Sequence, residues 1–215
     1  MTAPTPRTEV RRLAERGRYD ASTIEAILDE ALVCHVGFAH EGHPVVIPTI
    51  YARVGAELYL HGSPASRMLR ALRSGAEVCV TVTIVDGLVV ARAAFHNSMN
   101  YRSVVIFGVP RVVDDIEEKE RAVEAITNHV IPGRWAEARP MTEKEMKGTL
   151  VVALGLDEAS AKVRTGPPVD DEPDYAEEIW AGILPLRVEM GEAIPDPALR
   201  GDVVMPPSVA RYRRP

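Results

Sequence analysis

Between residues 32 and 156 the chain is cut into short runs rich in Val, Ile and Tyr by glycine-containing turn signals, and this rhythm restricts the fold more than any other feature. The runs cover residues 32–39, 44–54, 56–61, 77–85, 88–94, 103–113 and 149–156. They are parted by His40-Glu41-Gly42-His43, by Val54-Gly55-Ala56 and by Asp86-Gly87, a dipeptide suited to a two-residue hairpin. Runs at this spacing read as antiparallel strands, because parallel neighbours need a crossover of a dozen or more residues. Helical periodicity is confined to short stretches. Ser22 and Glu25 form a capping box around Ile24, ahead of Ile27, Leu28 and Ala31. Asp115 and Glu118 open a second helix that runs to about Val130, before Pro132-Gly133. The expected fold is mainly β, of the α+β kind: an antiparallel barrel of about six to seven strands with a few short peripheral helices.

Composition allows such a barrel a real core, since 46% of the 215 residues are hydrophobic and 26% charged. The expected organisation is an arm over residues 1–20, a barrel domain over 21–160 and an extension over 161–215. The arm carries Arg7, Arg11, Arg12, Arg16 and Arg18 and reads as solvated or docked on a partner subunit. The extension is Pro-rich and acidic, and its apolar stretch over 179–190 suggests a return to the barrel or to a dimer partner. A net charge of −6 argues against nucleic acid as a partner. Cys34 and Cys79 sit in apolar runs and form no Cys-x-x-Cys pair, which fits a reducing cytoplasm. No uninterrupted apolar stretch approaches the length of a membrane span.

The glycines form no Gly-x-Gly fingerprint and no Gly-Lys-Ser/Thr, so the usual dinucleotide and P-loop sites are not expected. A different anion site is suggested after His61, where Ser63 reads as a helix N-cap and Pro64 as the first helical residue. Ala65, Met68, Leu69 and Leu72 make the buried stripe of that helix. Ser66, Arg67 and Arg70 are left on the other face, either as an anion cradle or as an ordinary solvated surface. Asn100-Tyr101-Arg102-Ser103 precedes the apolar run 104–108. There an Arg and a hydroxyl either share a phosphate or simply open a strand. The histidines are His35, His40, His43, His61, His96 and His129, and none has metal-ligand spacing, so no metal site is expected. His61 stands apart because it ends a strand directly before the candidate anion helix.

Taken together, Tyr59-Leu60-His61-Gly62-Ser63, Ser66-Arg67 and residues 100–108 resemble the pyridoxamine 5'-phosphate oxidase-like superfamily, in its flavin-nucleotide-binding branch that includes nitroimidazole-resistance proteins. The similarity runs from about Ser22 to Leu156 and extends into 162–186. The resemblance implies a split β-barrel that binds FMN at the interface of a homodimer. It implies that Arg102 and Ser103 hold the FMN phosphate with Ser66 and Arg67, Arg67 standing beside Met68, where many relatives carry a Lys. Pro48, Thr49, Ile50 and Tyr51 would line the flavin ring, with Tyr101 close by, and Trp180 would approach from the C-terminal segment. His61 would lie near the ring as the catalytic residue, a proton donor or substrate anchor. The implied activity is a flavin-dependent oxidoreductase acting on a small molecule, with NADPH, NADH or a reduced deazaflavin as electron donor. Two other readings stay open: a flavin carrier or sensor without turnover, and haem binding with His61 or His35 as axial ligand. Arg187 alone does not make the basic C-terminal motif of a true vitamin oxidase, so pyridoxamine phosphate is not the expected substrate.

Overall fold

The computed structural model describes residues 4–213. Eleven strands and six helices are found among them: β1 (Gly17–Arg18), α1 (Ala21–Glu30), β2 (Val33–His40), β3 (His43–Ile50), β4 (Ala52–Val54), β5 (Glu57–Gly62), α2 (Arg67–Arg73), β6 (Val78–Val90), β7 (Ser98–Gly108), β8 (Arg111–Val112), α3 (Ile116–Val130), α4 (Arg134–Glu137), α5 (Glu143–Lys147), β9 (Leu150–Gly155), β10 (Ala159–Arg164), β11 (Gly182–Pro185) and α6 (Pro207–Ala210). All recorded pairings are antiparallel. One sheet runs β1-β10-β7-β6-β2-β3, with β11 added to the far half of β6, and the other runs β4-β5-β9-β8. The two enclose an apolar core without closing on each other, which makes a split barrel. The strand count exceeds the expected six to seven because β1, β10 and β11 are contributed by stretches that show no clear apolar alternation.

The run 44–54 is not one strand. It leaves the first sheet at Tyr51 and enters the second as β4, so a single apolar stretch serves both sheets. Tyr51 is fully buried at that corner, and its hydroxyl donates to the Leu28 carbonyl at 2.6 Å. Leu28, Leu58, Leu60, Leu69 and Ile106 are likewise removed from water, each contributing about 2 kcal/mol of transfer free energy.

Asp86-Gly87 does not turn the chain, as the sequence suggests. β6 continues through it for 13 residues, with Val85 opposite Tyr101 and Gly87 opposite Asn100, so Asp86 is the extra residue of a β-bulge. A hairpin turn at that dipeptide would need positive φ at its central residues, and Gly87 does not have it. Its lack of a side chain serves β11 instead, since a Cβ there would stand 3.0 Å from the Leu184 carbonyl oxygen.

Two helix starts also shift. Asp20, not Ser22, caps α1 by accepting from the Thr23 amide at 2.8 Å, and Ser22 donates to the same carboxylate. Ser66, not Ser63, caps α2, while Ser63 and Pro64 form the turn before it. Asp115 caps α3 as expected. The Glu118 side chain, however, leaves the capping-box position to meet Arg111 and Tyr59.

The arm lies along the edge of β10, where Gly17 pairs with Lys162 and Arg18 with Ala161. Arg7 sits over the Phe107 ring and pairs with Glu77 and Glu158. The C-terminal extension contributes β11 and then reaches α3 and α4. Ser208 hydrogen-bonds Glu137, and the Tyr212 hydroxyl donates to the Val130 carbonyl at 3.0 Å. Among the described residues no helix is long and apolar enough to cross a membrane.

Candidate functional site

Alternation along the strands sorts the candidate residues by face. On β7, Val104 and Ile106 point into the core, so Arg102 shares their side and Tyr101 and Ser103 point outward. On β3, Val45 and Ile47 pack against the core and Thr49 falls on their side of the strand, which leaves Pro48 and Ile50 on the outer face. The outer face of the large sheet therefore carries Tyr101, Ser103, Thr81, His35, Pro48 and Ile50, with His35 in register between Thr81 and Pro48. It is an open surface of small hydroxyl residues, an imidazole and short apolar groups. β3 is its unpaired edge, where Val46 is also exposed.

Arg102 and Ser103 are consequently on opposite sides of one strand and, within one chain, do not converge on one point. The Arg102 guanidinium is engaged by Glu30 and Asp86. Nη2 donates to Glu30 Oε1 at 2.8 Å and to Asp86 Oδ1 at 2.7 Å, Nε donates to Asp86 Oδ2 at 3.0 Å, and Nη1 pairs with Glu30 Oε2. These hydrogen bonds raise its pKa further. Ser103 Oγ donates to the Lys162 carbonyl at 3.3 Å. The Tyr51 ring, 5.0 Å from that of His129, is sealed in the core, so within one chain its backbone is what is left for a ligand. Trp180 is 65% exposed and lies against Gly182, where a Cβ would stand 2.9 Å from the ring, so it marks the β6–β11 pairing.

His61, Ser66 and Arg67 belong to the other sheet and its exit. His61 ends β5 opposite Val151, on the side of Tyr59, which faces α3. Its Nδ1 is buried and lacks a hydrogen-bond partner, and burial lowers its pKa from 6.5. The imidazole is thus mainly neutral at pH 7, and its buried Nδ1 is left unsatisfied inside the protein. Ser66 Oγ accepts from the Leu69 amide at 3.2 Å, and exposed Arg67 has no ion pair among the described residues. Arg67 is therefore available to an anion in a way that Arg102 is not.

The neutral His61 has a consequence for stability. The unfolded chain binds this proton more readily than the folded one, so stability rises with pH across the window below 6.5 and the destabilisation deepens as pH falls. His61→Gln is expected to flatten the fall in urea midpoint between about pH 7.5 and about pH 5, and an unchanged profile would contradict it.

One concave region was not anticipated from the sequence. Arg12 and Arg16 from the arm, Tyr101 from β7, Lys162 and Arg164 from β10, and Phe95, His96, Asp170 and Asp171 line a recess of about 630 Å³. Its signal was present but scattered. Lys162 and Arg164 are two apart and share a strand face, while the arm arginines gave no hint of where they dock.

Thiol chemistry has no support here, because burial pushes the Cys34 pKa up to about 12 and raises that of Cys79.

Comparison with known proteins adds the following. The family model of pyridoxamine 5'-phosphate oxidase matches residues 20–163. The flavocytochrome Anf3 from Azotobacter vinelandii is 42% identical over 99% of each chain, with a TM-score of 0.93. The FAD and heme binding protein from Mycobacterium smegmatis is 38% identical over 91% of this chain and 96% of its own, with a TM-score of 0.87. A candidate 5-nitroimidazole antibiotic resistance protein from Bacteroides thetaiotaomicron is 26% identical over 68% of this chain and 86% of its own, with a TM-score of 0.58. No match was found among curated proteins.

Proposed function

The chain belongs to the pyridoxamine 5'-phosphate oxidase family, and we propose that it is a redox protein carrying both a flavin nucleotide and haem. The observation that carries this reading is the extent of the likeness. The family model stops at residue 163, and the candidate resistance protein covers 68% of this chain. The flavocytochrome covers 99% and the FAD and heme binding protein 91%, so they share much of the arm and extension as well as the barrel. Bound flavin supplies hydride or single-electron transfer, and bound haem single-electron transfer.

The chain's own residues suit such ligands. Arg67, unpaired beside the N-cap Ser66, offers a cation for a flavin phosphate. Pro48 and Ile50 offer a short apolar rim beside His35 and Thr81. His61 is a neutral imidazole with a buried, unsatisfied Nδ1, and neutral imidazole is the form in which histidine ligates haem iron or takes up a proton. Within one chain, Pro48, Tyr101 and Ser103 lie on one sheet and His61, Ser66 and Arg67 at the other. A homodimer with the ligand between copies would let one chain's set meet the other's, and the open β3 edge is free for such a contact. FMN is the nucleotide implied by the sequence motifs, and FAD is the one named for the Mycobacterium smegmatis relative.

The visible spectrum of the purified protein tests the proposal. Two broad flavin bands together with one sharp, intense haem band are expected, and acid extraction followed by chromatography separates FMN from FAD. A colourless protein that takes up neither flavin nor haemin would overturn the reading, and a yellow protein without the sharp band would remove its haem half.

A further inference from the structure

Arg164 carries a nearly buried charge that only neutral groups meet among the described residues. It is only 8% exposed, yet its guanidinium meets neutral acceptors: the Gly166 carbonyl at 3.3 Å, the Pro167 carbonyl at 3.2 Å and the Asn100 side-chain oxygen. No carboxylate pairs with it among the described residues. Burying a cation without a counter-charge is unfavourable, and the half-buried Arg16 adds like charge, so both effects push the Arg164 pKa down.

The fold nevertheless adds cations at this point. Lys162 shares the strand face of Arg164, and its ammonium donates to the Arg12 carbonyl at 3.0 Å. The pairing of Gly17 with Lys162 brings Arg16 to the same wall. Of the two carboxylates that line the recess, Asp170 is held by groups outside it and Asp171 is exposed at the rim beside His96. Asp170 accepts from the Arg92 and Ala93 amides at 2.9 and 3.2 Å and pairs with the Arg92 side chain, while Asp171 lies 3.4 Å from His96. At the rim, Phe95 is 91% exposed and meets His96 edge-on. An apolar ring left in water beside a cluster of cations has the character of a stacking platform.

We propose that this recess binds the diphosphate of a dinucleotide, with Arg164, Lys162, Arg16 and Arg12 holding its oxygens and Phe95 stacking on one of its rings. A single carboxylate or monophosphate would leave much of the positive charge unmatched. Three guanidinium forks and an ammonium suit the spread oxygens of a diphosphate, and about 630 Å³ lies within the usual range for a small-ligand site. The diphosphate has two sources, the protein's own flavin if that is FAD, or a nicotinamide dinucleotide as electron donor. The first rests on the flavin reading above; the second requires only the recess.

Arg16→Gln and Arg12→Gln test the proposal, with Arg121→Gln on α3 as a remote control. If the source is FAD, Arg16→Gln lowers FAD affinity about tenfold and leaves FMN affinity unchanged, because FMN lacks the second phosphate. If the source is a nicotinamide dinucleotide, the protein as purified binds inorganic pyrophosphate and NADPH in competition by calorimetry. Both then weaken about tenfold in Arg16→Gln and Arg12→Gln. Arg16 is an arm residue whose like charge repels that of Arg164, so ligand-free Arg16→Gln should melt no lower than the parent, which separates lost binding from lost folding. The proposal is overturned if neither the FAD-to-FMN preference nor pyrophosphate and NADPH binding changes, or if Arg121→Gln changes them equally. A yellow protein with that outcome leaves the flavin reading standing; a colourless protein that still binds pyrophosphate through Arg16 does the reverse.

Discussion

Arg102→Ala is expected to destabilise the protein by about 2 kcal/mol, lowering its melting temperature by roughly 4–8 °C. The variant leaves Glu30 and Asp86 facing each other across the vacated guanidinium, each about 30% exposed and each without the hydrogen bonds that Arg102 donates. Removing one side of a fully buried pair costs about 3–5 kcal/mol, and an exposed pair is worth under about 1 kcal/mol, so partial burial places this one between. The three side chains also tie the C-terminus of α1 to the bulge in β6. Adding Glu30→Gln and Asp86→Asn to Arg102→Ala should recover about half of the loss, because the like charges no longer repel. The sequence motif leads to a different expectation, in which Arg102 grips a flavin phosphate. On that expectation Arg102→Ala would weaken FMN far more than riboflavin and leave the ligand-free melting temperature intact. Thermal melts of the ligand-free variant decide between the two.

Arg102 also shows which information the sequence carries and which it does not. Adjacent residues are close along the chain, and a motif such as Tyr101-Arg102-Ser103 invites the idea of a shared ligand. A strand places neighbours on opposite faces, and Val104 and Ile106 fix which face is inside. That inference was available from the apolar alternation itself, as was the antiparallel β class. The boundary at Tyr51 was not, because a strand that feeds two sheets looks like one long apolar run. The Asp86-Gly87 dipeptide was ambiguous for a physical reason: a hairpin and a bulge both favour glycine, and only the pairing of β6 with β7 through the site tells them apart. In the sequence Ser63 reads as the cap of α2 because Pro64 follows it, whereas Ser66 caps the helix three residues later. The arginines of the arm were legible as charge but not as a wall of a recess, since docking on β10 is a long-range pairing with no local signature.

His61→Ala is expected to abolish the sharp haem band while flavin content stays within about a factor of two of the parent. The structure gives this residue two properties that suit a ligand and do little for folding. Its Nδ1 makes no hydrogen bond in the protein, so removing it breaks no internal partner, and burial keeps the ring neutral at pH 7. An imidazole hydrogen-bonded within the core would behave otherwise, because its loss would leave a donor or acceptor unsatisfied. His35, the other candidate ligand, is exposed on the outer sheet face beside Thr81 and Pro48, and His35→Ala should leave the band in place. Free imidazole added to His61→Ala should restore the band by filling the space of the lost ring, a rescue that a merely packing residue would not show. Retention of the band in His61→Ala with loss in His35→Ala would move the iron ligand to the sheet face. There the haem would compete for the surface on which Pro48, Ile50 and Tyr101 are expected to meet the flavin.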